Sequence, residues 1–156
     1  MPEQTRVFLV VVDDSDEMRS ALMFACRRAR HTGGRVALLR VIEPTEYQHF
    51  ASIGNLMRAE ARQNAEALLE RLAAEVNAMS GQLPVLYVRE GNPREQLIAL
   101  IDEDPQISIL VLAADTGSNG PGPLISALTG KFIGKLRVPL TIVPGNLTDA
   151  QITAIT

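Results

Sequence analysis

The stretch Val7-Phe8-Leu9-Val10-Val11-Val12-Asp13-Asp14-Ser15 decides the fold. An apolar run without polar alternation is the habit of a strand covered on both faces, as in a parallel sheet. Here it stops in acidic and hydroxyl residues just before a helical pattern. The spacing therefore predicts a first strand over Val7 to Asp13 that delivers polar side chains to one edge of the sheet. Ligands of open α/β sheets bind beyond the carboxyl ends of the strands, so Asp13, Asp14 and Ser15 stand where a site would be built. The alternative reading of Asp13 to Asp16 is plain capping of the next helix.

Working outward, apolar runs alternate with helical periodicity to the end of the chain. A first helix from about Asp16 carries Met18, Ala21, Leu22, Ala25, Cys26 and Ala29 at three-and-four spacing and stops at Thr32-Gly33-Gly34. A second strand spans Val36 to Ile42. After Glu43-Pro44-Thr45, a loop with Tyr47, His49 and Phe50 leads to a long helix over roughly Gly54 to Ser80, whose charged faces read as a solvated surface. The third strand is placed at Leu83 to Val88. The third helix runs from Pro93 to Asp102, with Asn92 as its N-cap and Pro93 in the first turn. A fourth strand, Ile107 to Ala113, precedes the loop Gly117-Ser118-Asn119-Gly120-Pro121-Gly122 and a helix from Pro123 that is expected to bury Leu124, Ile125, Leu128, Phe132 and Ile133. The fifth strand is Leu140 to Val143. Thr148 and Gln151 have capping-box spacing before a short terminal helix.

This βαβαβαβαβ order calls for an α/β fold: one doubly wound, five-stranded parallel sheet with helices on both faces. Strand order 3-2-1-4-5 puts strands one and four side by side at the switch point, so that Asp13 and the glycine loop approach each other. We expect a single domain over 1–145 and a helical tail over 146–156.

Composition narrows the function. The chain has 156 residues, 46% of them apolar, enough for one continuous core. A net charge of -3 with scattered Lys and Arg argues against a nucleic-acid footprint or a membrane contact. Pro2, Glu3 and Gln4 do not make the basic start of a signal peptide, and the lone Cys26 suits a reducing compartment, so a cytoplasmic location is expected. His31 and His49 lack partners at ligand spacing, which gives no metal site. No trio of nucleophile, base and orienting group assembles either, so efficient catalysis is not expected.

The glycine loop offers backbone N–H groups beside a helix N-terminus, the physical requirement for holding an anion, though it also reads as an ordinary flexible turn. Gly130-Lys131 is no Walker A ending, since Ile125 and Phe132 occupy the places of the first glycine and the hydroxyl residue. Gly120-Pro121-Gly122 lacks the third glycine of a dinucleotide fingerprint.

Val11-Val12-Asp13-Asp14-Ser15 with Ala21-Leu22 and Ala25, then Leu38 to Ile42, then Val138-Pro139-Leu140-Thr141-Ile142-Val143, resemble the universal stress protein family from Val7 to Gly145. The resemblance implies binding of ATP or another adenine nucleotide as a regulatory ligand. It sets adenine near Val11, Val41 and Ile42, and ribose near Asp13. Phosphates fall near Gly117 and Gly120. The family's Gly-x2-Gly-x9-Gly spacing is met by Gly117, Gly120 and Gly130, with Lys131 in place of Ser or Thr. Counting back from Pro139 instead sets Ser126 and Ala127 on the Gly-Ser pair, with Thr129 offering a hydroxyl. Read without the resemblance, Val41 and Ile42 are plain core strand residues. The family also implies a homodimer through the last strand, with the Ile152 tail helping to cover the joint. Two further readings stay open: a same-fold interaction scaffold that does not bind ATP, and slow nucleotide hydrolysis with magnesium near Asp13.

Overall fold

The apolar first strand lies in the middle of the sheet, as its lack of alternation requires. The computed structural model describes residues 5–44 and 54–156, so the loop bearing Tyr47, His49 and Phe50 lies outside the described residues. In chain order the elements are β1 (Val7–Val11), α1 (Met18–Thr32), β2 (Arg35–Ile42), α2 (Gly54–Ser80), β3 (Val85–Glu90), α3 (Pro93–Glu103), β4 (Ile107–Ala114), α4 (Pro123–Thr129), a 3-10 turn (Ile133–Lys135), β5 (Leu140–Pro144) and α5 (Asp149–Ile155). The sheet is parallel, in the order β3-β2-β1-β4-β5.

Side chains of β1 alternate between two cores even though every one is apolar. Phe8, Val10 and Val12 pack with Leu22, Cys26, Leu69 and Val76 under α1 and α2. Val7 and Leu9 pack with Leu97, Ile101, Ile125 and Leu128 under α3 and α4. Burial of each large aliphatic chain contributes about 1.5–3 kcal/mol, so a one-residue slip of β1 would exchange the contents of both layers. The β1–β4 register carries one irregularity, between Val7 and Phe8. There the Ser108 hydroxyl takes the Val7 N–H at 3.1 Å, so the bulge leaves no orphan donor.

Several boundaries differ from the sequence reading, each for a local reason. The β1 ladder ends at Val11, with one more bond from the Val12 N–H to the Leu39 carbonyl (2.7 Å). Asp13 to Asp16 do not cap α1, which begins at Met18 without a side-chain cap. Strand β3 starts at Val85 rather than Leu83, because Pro84 has no N–H to give the ladder and Leu83 is exposed. Helix α4 stops at Thr129, at non-helical Gly130, and the chain tightens into the 3-10 turn. Ile133 is therefore 53% exposed instead of buried, while Phe132 still packs on the core. Ile152 is buried, on the terminal helix that packs against α1.

The predicted caps are present. Asn92 Oδ1 accepts the Glu95 N–H at 3.2 Å, with Pro93 at the first helical position. The Thr148 hydroxyl accepts the Gln151 N–H (3.1 Å), and the Gln151 side chain accepts the Thr148 N–H (2.9 Å). At the other end of α3, the Arg137 guanidinium donates to the carbonyls of Ile101 (2.5 Å) and Asp104 (3.1 Å), which are left without intrahelical partners.

Gly145 locks the end of β5 to the start of α1. Its N–H donates to the Ala114 carbonyl (2.8 Å), and its own carbonyl accepts the Ser20 hydroxyl (3.1 Å). A Cβ at this position would overlap Glu17 Cβ and come within 2.7 Å of the Ala114 oxygen. Gly145→Ala is therefore expected to destabilise the fold by about 1–3 kcal/mol, read as a lowered urea midpoint with unchanged slope.

The Tyr87 hydroxyl donates to the Asp104 carboxylate, tying β3 to the end of α3. Burial first, and then this bond and the Asp104 charge, push the phenol up from 10.0 to about 12. A phenol raised on folding contributes stability that is complete below its unfolded value and lost as pH climbs through the folded one. Stability should fall between pH 10 and about 12, with this part of the slope absent from Tyr87→Phe; denaturant titrations at stepped alkaline pH measure it.

Candidate functional site

A cleft of about 320 Å³ opens beyond the carboxyl ends of β1 and β4, toward the lower end of the ~300–1,000 Å³ found for small-molecule sites. Its position follows from topology: chain crossovers leave β1 in one direction and β4 in the other, so the loops diverge and a gap remains. Val11, Val12, Leu112 and Ala113 form an apolar floor from the two strands. One wall comes from Val41, Arg40 and Glu43 at the end of β2, and Pro93 closes it at the start of α3. The opposite wall is the segment from Pro121 to Ile125, and Asp13, Ser15, Glu17 and Met18 of the β1–α1 connection make the rim.

Asp13 sits just past the ladder with its carboxylate exposed. Oδ1 accepts the Ser15 N–H at 2.8 Å and also the Ser15 hydroxyl, which fixes the turn and orients the carboxylate. Oδ2 is left to accept from a ligand hydroxyl. Asp14 turns away to Arg40, 3.9 Å distant, and the Arg40 side chain is mostly covered. Glu90, at the end of β3, receives Arg58 (2.6 Å) and Arg62 (3.7 Å), which ties the first turns of α2 to the same edge of the sheet.

Of the residues singled out from sequence, Val11, Asp13 and Val41 line this cleft together. Ile42 does not, being almost fully buried in the core. Gly117 and Gly120 lie in the exposed loop above the wall and do not line it; the contribution of that loop begins at Pro121. The Gly117 N–H donates to its own neighbour, Asp115 Oδ1, at 2.8 Å, so a carboxylate of the chain sits where an anion would. Gly120 and Gly122 have φ of 81° and 113°, conformations that favour glycine and turn the loop into α4. Ser126 and Gly130 are exposed on α4 and at its end, and the Thr129 hydroxyl donates to the Ile125 carbonyl (2.7 Å). None of these three lines the cleft.

Sequence reasoning missed Glu17, Arg40, Glu43, Pro93 and Leu112. Arg40 carried a signal: it is the lone charge inside the apolar run from Val36 to Ile42, and such a residue in a covered strand must find a partner or a cavity. Among the described residues no group of three or more His, Cys, Asp or Glu is arranged to hold a metal, and no helix is long and apolar enough to cross a membrane.

Comparison with known proteins bears on this geometry. Residues 4–144 match the sequence profile of the Universal stress protein family. Sequence comparison with curated proteins returns no match. Among solved structures, the universal stress protein UspA from Lactobacillus plantarum superposes with a TM-score of 0.71 at 19% identity, over 92% of this chain and 99% of that one. A universal stress protein in complex with cAMP gives 0.65 at 17% identity, over 92% and 100%. A family member from Arabidopsis thaliana with AMP bound gives 0.63 at 16% identity, over 90% and 91%. These likenesses agree with the strand order and the placement of helices on both faces. With the family profile spanning nearly the whole sequence, the chain belongs to the universal stress protein family.

Proposed function

We propose that this protein is a regulatory binder of an adenine nucleotide, held in the cleft between the ends of β1 and β4. The observation that carries this reading is the pairing of an apolar floor with one oriented carboxylate: Val11 and Leu112 below, Val41 at the side, Asp13 at the rim. An aromatic base buries its faces on such a floor, and a carboxylate accepts hydrogen bonds from vicinal sugar hydroxyls. The nucleotides bound by two structural relatives, cAMP and AMP, support the class of ligand. ATP, the ligand implied by the family resemblance, is one member of that class. The chemistry of the donor set fits base and sugar better than phosphates, since the Gly117 amide and the Thr129 hydroxyl already have partners within the chain.

A second reading, a scaffold of the same fold with no nucleotide, is favoured by that same Asp115 carboxylate seated on the Gly117 amide. Thermal unfolding separates the two. At 100 times its Kd a nucleotide stabilises the folded state by about 2.7 kcal/mol, seen as a rise in Tm with AMP, cAMP or ATP. Asp13→Ala should abolish the rise without lowering the ligand-free Tm, because its carboxylate is exposed and bonds only within its own turn. No rise with any of the three leaves the scaffold reading.

The proposal extends to a homodimer joined through β5 and to a cytoplasmic setting. Among the described residues, strand β5 pairs only with β4, and Ile142 on it is 41% exposed. An unpaired strand edge with an exposed apolar side chain is a template for a second strand. Light scattering after size exclusion should give a dimer for the native chain and a monomer for Ile142→Lys. The buried lone thiol of Cys26 is in keeping with a reducing compartment.

A further inference from the structure

We infer that the surface around Phe132, on the α3–α4 side of the molecule, is a docking site for an acidic segment of another protein, one whose carboxylates flank an apolar side chain. None of the residues that carry this inference lines the β1–β4 cleft, so it is independent of what the cleft holds.

Charge is distributed unevenly along the chain. Between Asp115 and Asp149 there is no Asp or Glu, while Lys131, Lys135 and Arg137 fall in that interval. The net charge of -3 therefore resides wholly in the rest of the sequence. Arg137 is engaged by the carbonyls at the end of α3. The two lysines instead join a third cation round one ring: Arg94 Cζ lies 3.9 Å from the Phe132 centroid, Lys135 Nζ 5.4 Å and Lys131 Nζ 5.9 Å. Attraction to the ring, about 0.5–1 kcal/mol at exposed sites, holds the cations there without cancelling their charge. Among the described residues, the carboxylate nearest this group is that of the exposed Glu95, 3.9 Å from Arg94, and neither lysine has a carboxylate partner.

Phe132 is fixed from below by packing on the core under α3 and α4. Its neighbour Ile133 opens the 3-10 turn and is 53% exposed. Rigid aromatic and arginine side chains are the usual anchors of protein interfaces, and charge around them steers a partner of opposite sign. The mixture of charge and apolar surface selects that partner. A nucleic-acid backbone would use the cations, leave Ile133 in water and meet a chain of net negative charge. A bilayer surface calls for about four to eight basic residues on an amphipathic helix or beside a spanning one, whereas a three-residue turn presents the apolar side chain here. An acidic segment with an apolar residue at its centre meets both demands.

Amide NMR of the isotope-labelled full chain, titrated with an acetylated, amidated peptide of two leucines flanked on each side by glutamates, tests the inference. Shifts should move at Arg94 and from Lys131 to Lys135, and affinity should fall as salt rises. Lys131→Glu combined with Lys135→Glu should weaken binding about tenfold, as two exposed pairs turn from attraction to repulsion. Ile133→Ser should weaken it about fivefold through lost apolar burial, and a peptide with serines in place of the leucines should be indifferent to that change. Thermal unfolding checks that these variants, all at exposed positions, are folded. Any of four results overturns the proposal. The patch shows no shifts; inorganic tripolyphosphate binds there as tightly as the peptide, which marks a bare anion site; phosphatidylserine vesicles displace the peptide, which marks a membrane surface; or the lysine variant changes the oligomeric state of the native chain, which makes the occupant a second copy.

Discussion

Everything in this molecule depends on β1 being buried on both faces. A strand flanked by β2 and β4, with helices above and below, has no solvent-facing side on which to place a polar residue. Its composition is therefore forced, and the first polar residues can appear only where the strand leaves the sheet, at Asp13 to Asp16. The same burial separates the helices into two layers, because neighbouring side chains of β1 belong to different cores. The cleft is a by-product of this arrangement. Connections leaving β1 and β4 diverge to opposite faces, and the gap between them is floored by the last apolar residues of both strands.

What the cleft can hold is decided by the connections and not by the strands. The β1–α1 turn is fixed by Asp13 on Ser15, and it is kept against the end of β5 by the close approach of Gly145 to Glu17. The wall after β4 is shaped by two glycines at positive φ and two prolines around them. These loops bring the Asp13 carboxylate and the first backbone amides of α4 to the same cleft. Ahead of them, the loop after β4 closes on itself through the Gly117 N–H and the Asp115 carboxylate.

The strand order was legible because it follows from apolar runs and the handedness of crossovers, which need no knowledge of distant contacts. So were the caps at Asn92 and at Thr148 with Gln151, whose partners lie three residues away. Strand and helix ends were less so, since Asp13 could continue β1, cap α1 or fold on Ser15, and only geometry selects the last. The site was half legible. Asp13 follows from the rule that strand ends build sites, and Val11 and Val41 from the family resemblance, whereas Glu17, Pro93 and Leu112 enter the cleft through packing between segments far apart in sequence. Counting glycines found a flexible turn but could not show that Asp115 closes it. The shortened α4 is similar: Phe132 and Ile133 read as helix by periodicity, yet the helix ends at Thr129 and the chain tightens into a 3-10 turn over Ile133–Lys135 that leaves Ile133 exposed.

Cys26 lies wholly inside the layer beneath α1, where burial, and to a lesser extent the Glu75 charge, push its thiol up to about 12. A thiol that stays protonated and out of reach is a poor nucleophile. Since the chain has one cysteine, a second introduced on the surface would be the sole attachment point for a fluorophore or spin label in the folded protein, with no need to remove the native one.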